Sequence, residues 1–254
     1  MTASFNVGEP FQEVVIEQSL GIFFPAFNEE ENIGPLLDEA VRELGKLTSS
    51  FEIVVVDDGS ADRTAAIVRD YAERHPEVRL VSHPTNLGYG HALRTGFSST
   101  RGDAVALIDG DRQFRIADLA LLLERWDDAD VIVGYRIVRA DPRSRLLIAR
   151  IYKTVLRSLF SLGIRDPDCG FKLFKRTVVD TITPQLVSRS AFISPEIVIR
   201  SQLAGFKIVE VGVPHHPRVA GRPQGATPKV IARTLSEIAR LRRSLGRRRR
   251  PSPH

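Results

Sequence analysis

The sequence predicts an α/β protein built on a doubly wound, mostly parallel sheet. Short apolar runs alternate with segments of helical spacing over the first half of the chain, and polar residues follow directly after the apolar runs. Ligands of such sheets bind outside the carboxyl ends of the strands, so these polar residues are the first candidates for a functional site. With 254 residues, 43% of them hydrophobic, the chain is long enough for one large core.

Apolar runs predict five strands in the first half, at Gly21 to Phe24, Phe51 to Val56, Val78 to Val81, Ala104 to Ile108 and Val131 to Val133. Helical spacing runs from Leu36 to Leu47 and again from Ala65 to Ala72. After Val133 the alternation weakens. The segments there are a basic amphipathic stretch from Arg145 to Leu162, a loop from Arg165 to Gly170, an apolar run from Phe171 to Phe174, a Gly/Pro-rich segment from Pro214 to Pro228 and a last helix from Val230 to Leu241.

Composition favours a reducing compartment and a chain that does not cross a membrane. Cys169 is the only cysteine, so no internal disulfide can form. The first ten residues lack the basic start and apolar run of a secretory signal. The longest apolar stretch, Leu146 to Leu162, is interrupted by Arg150, Lys153 and Arg157. We therefore expect a cytoplasmic protein.

The C-terminus is strongly basic, with seven arginines in the last fifteen residues, at positions 240, 242, 243 and 247–250. Such a tail is either a solvated end or a patch that binds anionic lipid headgroups. We do not expect a nucleic-acid partner, because no nucleic-acid-binding motif is present and the tail lacks aromatic residues that stack on bases.

Polar residues follow the first two predicted strands. Pro25 is expected to end the first strand, and the loop after it presents Asn28, a candidate helix N-cap, and Glu29. Asp57 and Asp58 follow the second strand in a tight turn, as a site that binds ribose or base groups requires. The alternative is that the two aspartates only form the turn.

Asp109 and Asp111 follow the fourth predicted strand. Neighbouring carboxylates at a strand end are hard oxygen ligands suited to Mg²⁺ or Mn²⁺. Such an ion would bridge a diphosphate and neutralise the charge on a departing nucleoside diphosphate. An Asp-x-Asp pair is common by chance, and its position beside the other acidic strand ends is what favours a metal site.

Taken in order, these motifs resemble those of the inverting family 2 glycosyltransferases. The four motifs are Pro25-Ala26-Phe27-Asn28-Glu29, Val56-Asp57-Asp58-Gly59-Ser60, Asn86 to Arg94 and Asp109-Gly110-Asp111. Within that family the chain is similar to the dolichyl-phosphate mannose and glucose synthases, through Gly134-Tyr135-Arg136, Cys169 to Phe174 and Glu210 to Arg218. The similarity covers about residues 20–235.

The resemblance implies a GT-A fold in a single domain over residues 1–235, followed by a basic tail at 236–254. Within the domain it implies a nucleotide-sugar half at about 20–135 and an acceptor half at 136–235. The implied donor is a nucleoside-diphosphate sugar of the GDP-mannose or UDP-glucose type, and the implied acceptor is a polyprenyl phosphate. The cofactor would be Mg²⁺ or Mn²⁺, and the hexose would be transferred with inversion.

Site residues are implied position by position. The nucleotide site is similar at Pro25, Phe27, Glu29, Val56, Asp58 and Asp109, and the metal site at Asp109, Asp111 and Gln113. The implied catalytic set is Asp111 with the phosphate-gathering arginines Arg136, Arg145 and Arg218, and Lys172 is a weaker candidate. Phe27 stands where the family more often has Tyr. The family's Gly-x-Ser-Lys after the last arginine is missing, and Arg222 or Lys229 are the substitutes that the chain offers.

The chemistry of a phosphate acceptor agrees with this set. A phosphate monoester is already anionic at neutral pH, so the enzyme needs cations that hold two phosphates together more than it needs a general base. Arginine suits that role because its planar fork binds phosphate oxygens in pairs. A hydroxyl acceptor would instead require a carboxylate base, for which Glu196 and Asp168 are the candidates. A non-catalytic nucleotide-sugar-binding protein and a nucleotidyltransferase also stay open, because such sheets host several functions.

The stretch from Leu146 to Leu162 is amphipathic and basic, and it fits either a bilayer interface or the core. With the arginine tail it predicts a peripheral protein on the cytoplasmic face of a membrane, held there directly on an anionic surface or through a membrane-anchored partner. We do not expect His91, His215, His216 or Cys169 to be catalytic, because none has the neighbours of a metal ligand or a nucleophile.

Overall fold

The computed structural model describes residues 15–137, 143–218 and 228–247, and within these it describes only the backbone of residues 143–151, 228–229, 231 and 246–247. Its centre is a seven-stranded sheet in the order β3-β2-β1-β4-β6-β5-β7. The strands are β1 (Leu20–Ala26), β2 (Phe51–Asp57), β3 (Val78–Ser82), β4 (Ala104–Ile108), β5 (Val131–Arg136), β6 (Phe171–Lys175) and β7 (Ile208–Val213).

The sheet is mostly parallel, as predicted. The first four strands pair in parallel, and β7 pairs in parallel with β5. Strand β6 lies antiparallel between β4 and β5 and so separates a regular first half from a second half. All five strands predicted in the first half of the sequence are present, and the apolar run from Phe171 to Phe174 forms β6.

Eight α-helices connect and cover the strands in the described part of the chain. They are α1 (Glu30–Leu47), α2 (Thr64–Arg74), α3 (Tyr89–Ser99), α4 (Leu119–Leu123), α5 (Arg143–Phe160), α6 (Arg176–Ile182), α7 (Ile193–Leu203) and α8 (Pro228–Arg247). Both predicted early helices, the basic stretch and the last helix are confirmed. Strand β7 and helices α4, α6 and α7 were not predicted. None of the helices in the described residues is long and apolar enough to cross a bilayer.

Alternate side chains of the strands feed two buried clusters, one on each face of the sheet, because successive strand residues point to opposite faces. Helices α1 and α4 cover one cluster, and α3, α6 and α7 cover the other. Phe23 packs edge-on against Phe97 of α3 at a centroid distance of 4.9 Å. A Cβ at Gly96 would lie 2.1 Å from the Phe23 ring, so this close approach of α3 to the sheet requires glycine.

Two local predictions about the first loop are wrong. Pro25 does not end β1: it pairs with Val56, and the strand continues to Ala26. The pairing with β4 ends earlier, at Phe23, so the missing N–H of Pro25 falls where β1 has only one paired neighbour. Asn28 is not the N-cap of α1; Glu29 holds that position, with no side-chain cap bond.

The last helix, α8, packs onto the domain that precedes it. Ile238 and Leu241 are buried in the cluster under α3 and α7, and the side chain of Glu237 is buried as well. The helix crosses residue 235, where the boundary between the domain and a basic tail is predicted, and that boundary stays a prediction. Residues 248–254, with Arg248 to Arg250, lie outside the described residues.

Candidate active site

A cleft of about 800 Å³ opens at the carboxyl ends of β1, β2, β4 and β5. It lies where the loops after these parallel strands meet, which is where an open α/β sheet binds its ligands. Of the sequence-predicted residues, its walls contain Pro25, Phe27, Glu29, Asp58, Asp109, Asp111, Gln113, Arg136 and Arg218. The structure therefore brings together residues that are up to 193 positions apart in the sequence, from Pro25 to Arg218.

The loops after β1 and β2 are tied to each other along one wall of the cleft. The Asn28 side-chain oxygen accepts a hydrogen bond from the Ala61 N–H at 2.9 Å, and the Asn28 N–H donates to the Ser60 hydroxyl at 2.9 Å. Asn28 has a φ of 56°, a left-handed conformation that asparagine tolerates. These bonds explain why Asn28 does not cap α1: its side chain already joins the two loops.

Glu29 and Phe27 occupy the same wall. The Glu29 carboxylate accepts a hydrogen bond from the Asn32 side chain at 2.6 Å, and burial raises the pKa of Glu29 against the lowering effect of that bond. Phe27 is 41% exposed although its side chain is aromatic, and it borders the cleft, where a ligand can contact it.

Asp58 uses both carboxylate oxygens within the protein. One accepts from the Leu87 N–H at 2.9 Å and pairs with His83 Nδ1 at 2.7 Å, and the other accepts from the Gly88 N–H at 2.8 Å. Asp58 therefore orders the loop that leads into α3, and its contact with a nucleotide stays a prediction. Val56 is fully buried in the core and is not brought to the cleft.

Asp109 and Asp111 lie together where β4 ends. Asp109 accepts a hydrogen bond from the Tyr89 hydroxyl at 2.7 Å, and a Cβ at Gly170 would collide with its carboxylate, so any side chain at position 170 would displace that carboxylate. Burial and then repulsion from Asp111 raise the pKa of Asp109 to about 6. Two neighbouring carboxylates, of which one repels the charge of the other, are suited to bind a cation.

Asp111 and Gln113 are both engaged within the protein. Asp111 is buried, and it accepts hydrogen bonds from the Gln113 N–H at 3.2 Å and from the Arg218 guanidinium. The Gln113 side-chain amide donates to the His216 carbonyl at 3.2 Å. The described residues hold no cluster of three or more His, Cys, Asp or Glu side chains suited to a metal, so an ion at Asp109 and Asp111 would take further ligands from its substrate or from water.

Arg136 lines the cleft at the end of β5. Its guanidinium makes two parallel bonds to the Asp166 carboxylate, at 2.7 and 2.9 Å. Asp166 is only 4% exposed, and the paired bonds hold Arg136 in one orientation facing the cleft. Arg145 belongs to α5, but its side chain lies outside the described residues, as do those of Arg222 and Lys229.

Lys172 is not brought to the cleft. It is fully buried, and its ammonium group donates to the Cys169 carbonyl and to the Ser194 hydroxyl. Its side chain therefore supports the cleft from behind, and Lys172 is not a phosphate ligand. The thiol of Cys169 is buried beside it, as predicted, and burial raises the pKa of that thiol to about 12.

The two candidate general bases differ in position. Glu196 is fully buried, where its carboxylate accepts the Val187 and Ser188 N–H groups and pairs with Arg200 at 2.6 Å. Glu196 is therefore not available to a substrate. Asp168 does line the cleft, where surrounding protein and then repulsion from Asp166 raise its pKa.

Sequence reasoning missed part of the cleft wall. The missed residues are Tyr89, Arg189, Ser190, Ala191, Ser194 and Arg233. Tyr89 lies inside the motif from Asn86 to Arg94, but its hydrogen bond to Asp109 was not predicted. The others belong to the segment that enters α7 and to α8, whose contacts with the cleft leave no local pattern in the sequence.

Comparison with known proteins adds a family and a fold. The model of glycosyl transferase family 2 matches residues 22–183. Dolichyl-phosphate beta-glucosyltransferase ALG5C of Trichomonas vaginalis is 34% identical over 207 residues, which cover 74% of this chain and 61% of that protein. Its ALG5D relative is 31% identical, covering 82% and 69%. The dolichyl-phosphate beta-glucosyltransferase of Dictyostelium discoideum is 33% identical, covering 76% and 65%. The chain thus spans about two thirds of the length of these relatives.

Solved structures agree on the fold. Glucosyl-3-phosphoglycerate synthase from Mycobacterium tuberculosis, in complex with phosphoglyceric acid, has a TM-score of 0.68 and 22% identity, over 90% of this chain and 80% of that one. The same enzyme in complex with Mn²⁺ and UDP-glucose has a TM-score of 0.67 and 21% identity, over 90% and 79%. At this level of identity the likeness concerns the fold, which is the predicted GT-A arrangement.

Proposed function

This chain belongs to glycosyl transferase family 2, and we propose that it transfers a hexose from a nucleoside-diphosphate sugar to a polyprenyl phosphate at a membrane surface. One observation carries the proposal: Asp109, Asp111, Arg136 and Arg218 converge on a single cleft at the carboxyl edge of the sheet. Two carboxylates suit a divalent ion on a diphosphate, and two arginines suit the phosphates of donor and acceptor. The names of the curated relatives support the lipid-phosphate acceptor and favour glucose over mannose.

In this proposal the first wall binds the nucleoside. The Phe27 ring offers a flat apolar surface to a base, while Pro25 and Glu29 border the same space. Asp58 contributes through the loop that it orders. UDP and GDP both fit such a description, so UDP-glucose is the first donor to test and GDP-mannose the second.

Asp109 and Asp111 would hold Mg²⁺ or Mn²⁺, with Gln113 beside them. A bound ion would supply positive charge to the diphosphate that departs from the sugar. The surrounding residues prepare this position: Tyr89 orients Asp109, and Arg218 orients Asp111.

The transfer itself needs alignment more than proton removal. An oxygen of the acceptor phosphate forms a bond to the anomeric carbon while the bond from that carbon to the diphosphate oxygen breaks, with inversion at the carbon. Arg136, held by Asp166, would bind the acceptor phosphate from one side, and Arg218 would lie beside the donor diphosphate. Contacts between these charges are stronger inside a cleft than in bulk water, because the surrounding protein lowers the effective dielectric constant.

Membrane attachment in this proposal uses helices α5 and α8 of the acceptor half. A shallow, mostly apolar groove of about 450 Å³ lies between α5 and α8, lined by Leu159, Leu235, Ile238, Ala239, Arg242 and Arg243. Leu235 is 57% exposed, and the arginines rim the apolar surface. Apolar and basic groups in this arrangement suit the cytoplasmic face of an anionic bilayer. Sedimentation with phosphatidylglycerol vesicles at low and high salt tests this, and equal bound fractions at both salts would count against it.

The proposed activity is tested by incubating the protein with radiolabelled UDP- and GDP-sugars, Mg²⁺ or Mn²⁺ and a short polyprenyl phosphate, followed by extraction into organic solvent. We expect label in the organic phase, most of it from UDP-glucose, and none with EDTA or with Asp111→Ala. If UDP or GDP binds but no donor yields a labelled lipid, the lipid-phosphate assignment is wrong. A soluble hydroxyl acceptor, with Asp168 as base, is then the next function to test.

A further inference from the structure

Among the described side chains four arginines line the cleft, and they fall into two pairs. Arg136 and Arg218 each bond a carboxylate, Asp166 and Asp111 respectively. Arg189 and Arg233 are exposed on the wall of the cleft, and within the part of the chain that the structure describes neither guanidinium forms an ion pair or a hydrogen bond. A cleft wall that holds cations without counter-charges is prepared for an anionic ligand.

Arg233 is carried to the cleft by α8. Glu237 lies one turn further along the helix and so projects from the same face. Its buried carboxylate accepts hydrogen bonds from the Arg189 N–H at 2.9 Å and the Ser190 N–H at 3.3 Å, and also from the Ser190 hydroxyl. This anchor fixes both the segment that carries Arg189 and the helix that carries Arg233.

Arg189 and Arg233 both lie close to Gly88, which lines the cleft. A Cβ built there would lie 3.8 Å from a terminal nitrogen of Arg233 and 2.9 Å from the Arg189 carbonyl, so both segments close on the start of α3. The next residue, Tyr89, reaches from this point to Asp109 with its hydroxyl. Arg233 therefore lies beside the residue that precedes Tyr89, whose hydroxyl contacts a carboxylate at the end of β4.

We propose that Arg189 and Arg233 form a phosphate-binding pair on the α8 wall of the cleft, distinct from the carboxylate-bound Arg136 and Arg218. The pair binds a phosphate oxygen of a ligand that also reaches the carboxylate edge. The phosphate of a nucleoside diphosphate and the phosphate of a polyprenyl phosphate are the two candidates. The choice of these two ligands rests on the proposed function, whereas the phosphate-binding pair itself does not. Helix α8, which carries Arg233, is then part of the binding site in the cleft.

The test is calorimetric binding by Arg189→Gln, Arg233→Gln and the double variant. The control is Arg69→Gln, which removes the same charge from an exposed position on α2, outside the cleft. One arm titrates UDP and GDP with Mn²⁺, and the other titrates a short polyprenyl phosphate against the matching polyprenol. Because Arg189 and Arg233 are exposed, all variants are expected to keep the wild-type circular dichroism and melting temperature.

We expect the double variant to lose about tenfold or more in affinity in one arm, since charge-assisted bonds to phosphate are lost. A loss for the nucleotides assigns the pair to the donor, and a loss for polyprenyl phosphate without a change for polyprenol assigns it to the acceptor. Unchanged affinity in both arms overturns the pair, as does wild-type protein that binds neither phosphate. If binding of either ligand depends on the pair but the wild-type protein transfers no sugar, the proposed function is refuted and the pair stands.

Discussion

The two halves of the sheet place their site residues by different means. In the first half, β1, β2 and β4 are parallel neighbours, so the residues that follow them reach one edge together. In the second half, β6 runs antiparallel between β4 and β5, and the cleft residues come from a strand end, Arg136, from a segment after β7, Arg218, and from α8, Arg233. The first half is organised by strand direction, and the second by ion pairs and helix packing.

From this difference we predict that substitutions in the first half mainly lower the transfer rate. Substitutions in the second half are expected to lower both the transfer rate and the free energy of unfolding. Carboxylates at the strand ends stand beside each other without contributing to the core. Arg136 and α8 are each held by a buried carboxylate, Asp166 or Glu237, so a change there disturbs structure and site together.

The largest effect is expected from Asp111→Asn. The change removes one of two charges suited to the metal while keeping the side-chain shape, and we expect the transfer rate to fall about 10²- to 10³-fold. The melting temperature should change little, because the loss of the ion pair with Arg218 and the relief of the repulsion on Asp109 oppose each other. Initial rates of label transfer measure the effect, and Asp127→Asn, an exposed aspartate outside the cleft, is the matched control. Full activity in Asp111→Asn would break the assignment of chemistry to the first half.

Asp166→Asn tests the second half. Arg136 would lose its charged partner in a partly buried position, and we expect the free energy of unfolding to fall by about 2 kcal/mol, together with a loss of transfer. Urea denaturation measures the stability. Asp180→Asn removes the partner of an exposed ion pair, Arg176 to Asp180 at 3.7 Å, and should cost about 0.5 kcal/mol or less. Equal effects of the two substitutions would show that the Arg136 bond does not support the fold.

Asp109→Asn tests whether a carboxylate of the site lowers the stability of the folded protein. The folded protein holds the Asp109 proton to a pKa of about 6, against an ordinary value of 3.8, so the folded state binds more protons than the unfolded chain between these values. The contribution of Asp109 to stability therefore falls as the pH rises from about 4 to about 6, and it stays low above that range.

We expect metal-free Asp109→Asn to be more stable than wild type at pH 7 by about 3 kcal/mol, and the two proteins to converge near pH 4. Urea denaturation in EDTA across this range measures it, with exposed Asp70→Asn as control. If wild type is the more stable protein at pH 7, burial and repulsion from Asp111 do not destabilise the ionised Asp109 carboxylate.

Phe27 gives the smallest expected effect. Its exposed ring offers packing to a base, so Phe27→Ala should weaken nucleotide binding about tenfold, as the loss of an aromatic contact does. Phe27→Tyr should stay within about threefold, because the ring is kept. Fluorescence titration of the nucleotide measures both. If Phe27→Tyr strengthens nucleotide binding by much more than threefold, the added hydroxyl forms a contact with the nucleotide, and ring packing alone does not describe this wall of the cleft.

The same contrast explains what could be predicted from the sequence. Residues Asp58, Asp109 and Asp111 were predicted because an apolar run, a turn and a parallel sheet together specify where a strand end lies. Pro25 was misjudged, since the sequence does not reveal that only one neighbour pairs at that position.

The second half was less predictable for a physical reason. Arg136 and Arg218 were found through the family resemblance, and Arg189 and Arg233 were missed. Their approach to the cleft depends on Glu237, which lies 48 positions after Arg189 and whose buried bonds leave no periodic pattern. Lys172 belongs to a motif of the same resemblance, but its burial follows from the antiparallel position of β6 between two strands.

The central claim is that both halves meet in one cleft to join a sugar to a lipid phosphate. The most direct measurement offers the wild-type protein radiolabelled UDP-glucose with Mn²⁺ and, in parallel, a short polyprenyl phosphate and the matching polyprenol. We predict labelled lipid from the phosphate and none from the alcohol, because the arginines of the cleft align an anionic acceptor and supply no base. Equal labelling of the polyprenol, or label that stays in the aqueous phase on a hydroxyl acceptor, would contradict the account.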